Sequence, residues 1–179
     1  HEHRMFDTLG VDVRLRRYNA QMDCDTAFRG TTVEGIVSDL VRTERFQQQG
    51  IGLKYVAGTV QHWQLIASKR SRVSRLDQLG DKVVGITRFS GTDWLTNQCL
   101  EGVKVKGDVY RVQINDVLIR LRMLIGNEID AAWLSEPWAT LARQRGGVVL
   151  VDSSDRYPVL GVIAFKDEAI RDKRRQKQL

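Results

Sequence analysis

The chain is poor in the residues that break, staple or anchor a fold. Of its 179 residues two are proline and two are cysteine. So few prolines exclude a long Pro-rich linker. Cys24 and Cys99 lie far apart and make no metal-ligand spacing. They read as two separate small apolar helix residues, not as a disulfide framework or a metal site. Histidine is as scarce: His1 and His3 read as surface residues, and the lone interior His62 reads first as structural. No stretch approaches the roughly 18 consecutive apolar residues that a membrane-spanning helix needs. Aromatics make up 7% of the chain, and none interleaves with the basic tail, which argues against a stacking platform for nucleic acid. Gly-x-Ser-x-Gly, the phosphate loop, His-Glu-x-x-His and Gly-x-Gly-x-x-Gly are all missing, so no catalytic set and no cofactor is expected.

What is present suits a globular α/β chain. Hydrophobic residues reach 42% and charged residues 28%, enough for a core and a wetted surface. The formal charge of +6 is partly local. Arg171 to Lys177 holds five basic residues and one acidic, a pattern that usually marks a solvated helix face. Apolar runs predict strands at Val11–Tyr18, Val33–Ser38, Leu53–Val60, His62–Ala67, Val83–Thr87, Val109–Ile114, Ile129–Leu134, Val148–Val151 and Val159–Phe165. Helical patterns fall at 23–28, 40–49, 92–100, 115–125, 138–145 and from 169 on. Leu40, Val41 and Phe46 are the expected buried side of the second helix. Val117, Leu118, Leu121, Leu124 and Ile125 form one face of the fourth, with Asn115 as its N-cap. Alternation of this kind predicts a mainly parallel sheet flanked by helices.

Ligands in such sheets bind beyond the carboxyl ends of strands. Ser90-Gly91-Thr92 stands where a strand hands over to a helix. Unpaired N–H groups there favour an anion, Gly91 admits it to the backbone, and the two hydroxyls add donors. Plain capping by Ser90 or Thr92 is the competing reading, and Arg88 either adds charge or faces solvent. Ser38-Asp39 ends another strand, where Asp39 caps the next helix or accepts from a ligand. Ser135-Glu136 ends a third, with Trp138 either stacking on a ligand or packing in the core.

Several segments, in this order, carry a family likeness: Phe6 to Val13; Ala27-Phe28-Arg29-Gly30 before Val37-Ser38-Asp39-Leu40; Leu76 to Ile86; Ser90-Gly91-Thr92; Gly126 to Ala132; and Ser135-Glu136-Pro137. Together they resemble the solute-binding proteins of ABC importers, in the nitrate, sulfonate, taurine and thiamine-precursor group. The resemblance implies a two-lobe, type II periplasmic-binding fold with hinge strands between the lobes. Residues 1–60 would form part of lobe 1, 61–158 lobe 2, and 159–179 a return to lobe 1. The family's first strand would then precede His1. The resemblance implies no chemistry, a small polar solute and a permease as partners, no nucleic acid, and a periplasmic or lipid-anchored envelope location, with any anchor outside this chain. Its site would comprise Ser38, Asp39, Ser90, Gly91, Thr92, Ser135 and Glu136, with His62, Trp63 and Trp138 near the hinge. Asp39 and Glu136 in one cleft favour an amine or aminopyrimidine, whereas Arg88 and the helix N-terminus favour a sulfonate or nitrate. An enzyme on the same fold, of pyrimidine or menaquinone biosynthesis type, and the effector domain of a transcriptional regulator are the alternatives.

Overall fold

The computed structural model describes residues 13–157 and 159–171. Its elements run α1 (Gln21–Arg29), β1 (Gly35–Asp39), α2 (Leu40–Gln48), β2 (Leu53–Thr59), β3 (Trp63–Ala67), β4 (Lys82–Ile86), α3 (Gly91–Leu100) and β5 (Val109–Gln113). Then follow α4 (Val117–Ile125), β6 (Ala131–Ser135), α5 (Trp138–Gln144), β7 (Val148–Asp152), β8 (Gly161–Lys166) and α6 (Asp167–Arg171). The predicted segments before residue 13 and the basic stretch after residue 171 lie outside the described residues.

The strands form two sheets, one ordered β1-β8-β2 and the other β5-β4-β6-β3-β7. The α/β class and the two-sheet plan agree with the sequence. Strand direction agrees only in part. β4 is parallel to both β5 and β6. β3 is antiparallel to β6 and to β7, and β8 is antiparallel to β1 and to β2. The alternation predicted mainly parallel sheets because it shows which segments are strands, not where the chain inserts them. β8 comes last in sequence yet slots between β1 and β2, running against both. The segment expected as a strand at 11–18 has no strand in its described part, 13–18, which is mostly exposed. Alternation alone does not make a strand where no ladder partner is at hand.

Burial follows from the pleat. Every residue of β3 is buried, and in β6 all but the last. Leu65, Ala67, Ala131 and Trp133 pack on one face, with Val84, Ile86 and Leu95. Ile66, Ala132 and Leu134 pack on the other, with Leu121, Leu124 and Ala139. Helices on both faces explain why these strands read as unbroken apolar runs rather than as alternation. The smaller sheet has its own core of Phe28, Ile36, Phe46, Leu53 and Ala164.

A tight backbone approach fixes the entry to β4. A Cβ added at Gly80 would stand 1.7 Å from the carbonyl oxygen of Lys106. Backbone cannot swing aside as a side chain can, so Gly80→Ala is expected to destabilise by about 1–3 kcal/mol through overpacking. A shift of the urea midpoint without a change in slope would show it. An unchanged midpoint would mean that the 80–106 contact yields freely.

Candidate functional site

The parallel pairing of β4, β5 and β6 puts their carboxyl ends on one edge of the larger sheet. The end of β1 abuts that edge. Asp39 closes β1 and opens α2, and it is buried. Its Oδ1 accepts from the Arg42 N–H at 3.0 Å, the expected cap. The same oxygen accepts from the Gly91 N–H at 2.9 Å, in the first turn of α3. One carboxylate thus sits on two helix N-termini, one beside each sheet. A Cβ on Gly91 would lie 3.4 Å from Asp39, close to ordinary contact, and 3.1 Å from the Leu160 side chain, which would have to give way.

The hydroxyls at this turn are committed to it. Ser90 Oγ accepts from the Thr92 N–H and donates to the Thr87 carbonyl at 2.6 Å. Thr92 Oγ1 accepts from the Thr87 N–H at 3.0 Å. Ser90 therefore caps α3, the simpler of the two sequence readings, while the Thr92 hydroxyl ties the turn back to Thr87. Ser38 is buried, and its hydroxyl has no hydrogen-bond partner. Arg88 is exposed.

The remaining predicted residues gather along the same edge, at the ends of β3, β6 and β7. Trp63 is buried and packs in the core, and its backbone N–H donates to Ser153 Oγ at 2.9 Å. It stands in register with Ser135. His62 Nε2 lies 3.9 Å from Asp152 Oδ2, while the Ser154 hydroxyl donates to the other oxygen of that carboxylate. Glu136 is exposed; it accepts from the Thr140 N–H and pairs with Arg143 at 3.1 Å. Trp138 packs against the core on the α4 and α5 side. The structure therefore unites Ser38, Asp39, Ser90, Gly91 and Thr92, and ties Glu136 and Trp138 into the start of α5.

Sequence reasoning missed the charges behind Asp39. Arg42 is buried, pairs with Asp25 through Nη1, and lies 3.5 Å through Nε from Asp39 Oδ2. Arg120 is 5% exposed, and its Nη1 donates to Thr87 Oγ1 at 2.7 Å. Its Nε is buried with no partner, and among the described residues no carboxylate pairs with it. The missed signal lay in helical spacing. Arg120 stands three residues after Val117 and four before Leu124, on the apolar stripe itself, and Arg42 stands four before Phe46. Leu40 and Val41, expected inside, are only partly buried and line a groove of about 450 Å³ with Trp94, Tyr157 and Leu160. Asn115, expected as the α4 cap, yields that place to Asp116, whose carboxylate accepts from the Leu118 N–H at 2.7 Å.

No protein-family model and no curated protein sequence matches the chain. Solved structures do. A ligand-binding component of an ABC-type import system from Staphylococcus aureus, with zinc bound, superposes with a TM-score of 0.76 at 19% identity, over 92% of this chain and 58% of that one. The alkanesulfonate-binding protein SsuA from Xanthomonas axonopodis pv. citri gives 0.78 at 14% identity, over 94% and 61%. A periplasmic substrate-binding protein of an ABC transporter from Coxiella burnetii gives 0.68 at 15%, over 98% and 81%. The chain has the periplasmic-binding-protein fold. It spans about three fifths of the length of the first two of these proteins.

Within this binding-protein fold the buried charges are strongly perturbed. Burial pushes the Asp39 carboxyl up to about 6, against the opposing pull of Arg42 and of the two amide hydrogen bonds. Burial raises Asp25 as well, again opposed by Arg42. Burial lowers Arg120 to about 10, and neighbouring Arg42 adds to the fall. Groups perturbed in this way mark candidate functional sites and structural ion-pair networks alike. Cys24 and Cys99 are free thiols, each raised to about 11 by burial. Among the described residues no three His, Cys, Asp or Glu side chains come together to hold a metal ion, and no helix is long and apolar enough to cross a membrane.

Proposed function

We propose that this chain captures a small anionic solute between its two sheets, as the binding component of an ABC importer. The observation that carries the reading is Arg120: a buried guanidinium that forms no ion pair among the described residues, although the Asp116 cap attracts it, and that is bonded to the turn that opens α3. Burying an unpaired cation is costly, and an anion at that turn would pair it. Glu136, which together with Asp39 favoured an amine in the sequence, is held by Arg143 and Thr140. The likeness to import-system binding components and to an alkanesulfonate-binding protein supports the same reading. In it residues 1–60 and 159–179 belong to one lobe and 61–158 to the other. The solute passes to a membrane permease, the location is periplasmic or lipid-anchored, and no catalytic step is assigned.

Thermal unfolding against ethanesulfonate and nitrate, with alkylamines and aminopyrimidines as controls, tests it. A bound anion at about 100 times its dissociation constant should add about 2.7 kcal/mol. Arg120→Met should weaken that anion by about 10–100-fold, the worth of a charged hydrogen bond, while the variant itself unfolds no earlier than the parent. Stabilisation by amines alone would reverse the charge class. Equal anion binding by Arg120→Met would remove Arg120 from the site.

A further inference from the structure

We propose that Asp39 is the residue that reads the solute's charge: an anion seated at the first turn of α3 takes the Gly91 N–H from the Asp39 carboxylate and is bound together with a proton on Asp39. This inference rests on the anion reading above and adds the residue that the anion must displace.

The geometry makes the Gly91 bond the exchangeable one. Asp39 keeps its own helix capped through the Arg42 N–H, whatever happens at Gly91. α3 keeps its own cap in Ser90, which holds the Thr92 N–H. The Gly91 N–H alone is satisfied from across the cleft. Two buried atoms keep no hydrogen-bond partner among the described residues: Ser38 Oγ, next to Asp39 in β1, and Nε of Arg120, whose Nη1 bonds Thr87 just before the first turn of α3. The charged groups around the carboxylate are Arg42 from α2, Asp25 from α1 behind Arg42, and Arg120 from α4, which is itself near the Asp116 cap. The fourth neighbour is the N-terminus of α3, and the Leu160 side chain meets it at Gly91. In formal charge Asp25, Asp39 and Asp116 outnumber Arg42 and Arg120 by one, so an added anion deepens a negative excess. A proton taken up with it cancels the added charge. The carboxyl that takes it is the one already held near 6 by burial, because a second negative charge alongside raises it further.

The sign of the linkage follows. Binding an anion takes up a proton from solvent, so affinity rises as pH falls from 8 towards about 6, by up to tenfold per pH unit, and levels off below that. A cationic solute would show the reverse slope.

Titration calorimetry of ethanesulfonate and nitrate, whose charges do not change over this range, gives the test when run at pH 7.5 in buffers of different ionisation enthalpy. Uptake of close to one proton per bound anion is expected. Asp39→Asn keeps both amide acceptors and loses the titration. It should bind the anion with no proton uptake, and more tightly than the parent at pH 8. The Gly91 amide resonance of the ligand-free protein, followed against pH, should move with a midpoint near 6 in the parent and stay still in Asp39→Asn. Anion binding without proton exchange, or with the same exchange in Asp39→Asn, would overturn this inference and leave solute capture standing. A Gly91 resonance that does not titrate would also overturn it. If neither anion binds to the parent or to the variant, the anion reading itself fails, whatever Gly91 reports.

Discussion

Replacing Arg42 by methionine is expected to cost about 3–5 kcal/mol of stability at pH 8, the usual penalty for stripping a partner from buried charges. Arg42 stands between Asp25 and Asp39, and all three side chains are buried. Both carboxyls are already raised by burial and are held down by Arg42. Without it both rise further. A carboxyl whose folded value lies above its unfolded one contributes stability below the unfolded value, near 3.8, and loses it as pH rises through the folded value. The deficit of Arg42→Met should therefore be largest at pH 8 and close as pH falls towards 4, where both acids are neutral. Urea midpoints at pH 8 and pH 4.5 measure the gap. A gap of the same size at both pH values would mean that Arg42 supports the fold by packing and not by charge. Adding Asp25→Asn and Asp39→Asn to the variant should recover much of the loss at pH 8, since a site with no charge at all is tolerated far better than a broken pair.

Trp133→Ala is expected to cost a similar 3–5 kcal/mol by a different route, the cavity left by a large ring in a core that cannot collapse around it. Trp133 is fully buried in the middle strand of the larger sheet, between Trp63, Leu65, Val84 and Leu95. Its indole N–H donates to Thr96 Oγ1 at 2.8 Å, and the Thr96 hydroxyl donates onward to the Thr92 carbonyl in α3. The ring therefore braces the helix whose first turn carries Gly91. For a chain of this size the melting temperature should fall by roughly 10 °C. Trp133→Phe fills most of the space and forfeits one hydrogen bond that leaves no buried donor behind, so about 1–2 kcal/mol is expected. Calorimetry of the two variants separates the terms: equal losses would assign the effect to the hydrogen bond and not to the cavity.

Much of this architecture was legible in the sequence because burial and local turn chemistry are written in short-range patterns. The strand before Ser90, the cap at Ser90, the glycine after it and Asp39 at the head of α2 all follow from residues within one turn of each other. Trp133 falls in one of the apolar runs that predict strands, whereas Trp63, placed near the hinge by the resemblance, packs in the core. The insertion of β8 between β1 and β2 could not be read, since pairing over more than 100 residues leaves no trace in local periodicity. The same holds for Asp39 on Gly91 and for Arg42 between two aspartates. Only a faint sign survived there, namely arginines at positions where the helical stripe calls for leucine. Glu136 was read as a ligand group because it ends a strand; its meeting with Arg143, seven residues on and round α5, could not be read.

The place of β8 has a consequence for how the chain is made. Among the described residues β1 and β2 are not bonded to each other, and each pairs only with β8. The register sets Thr59 opposite Gly161. While the polypeptide is being synthesised, two finished strands must wait with bare edges until a segment some hundred residues downstream emerges. At translation speeds of about 5–20 residues per second that is roughly 5–20 s. During that interval the nascent smaller sheet is an open template for any other extended chain.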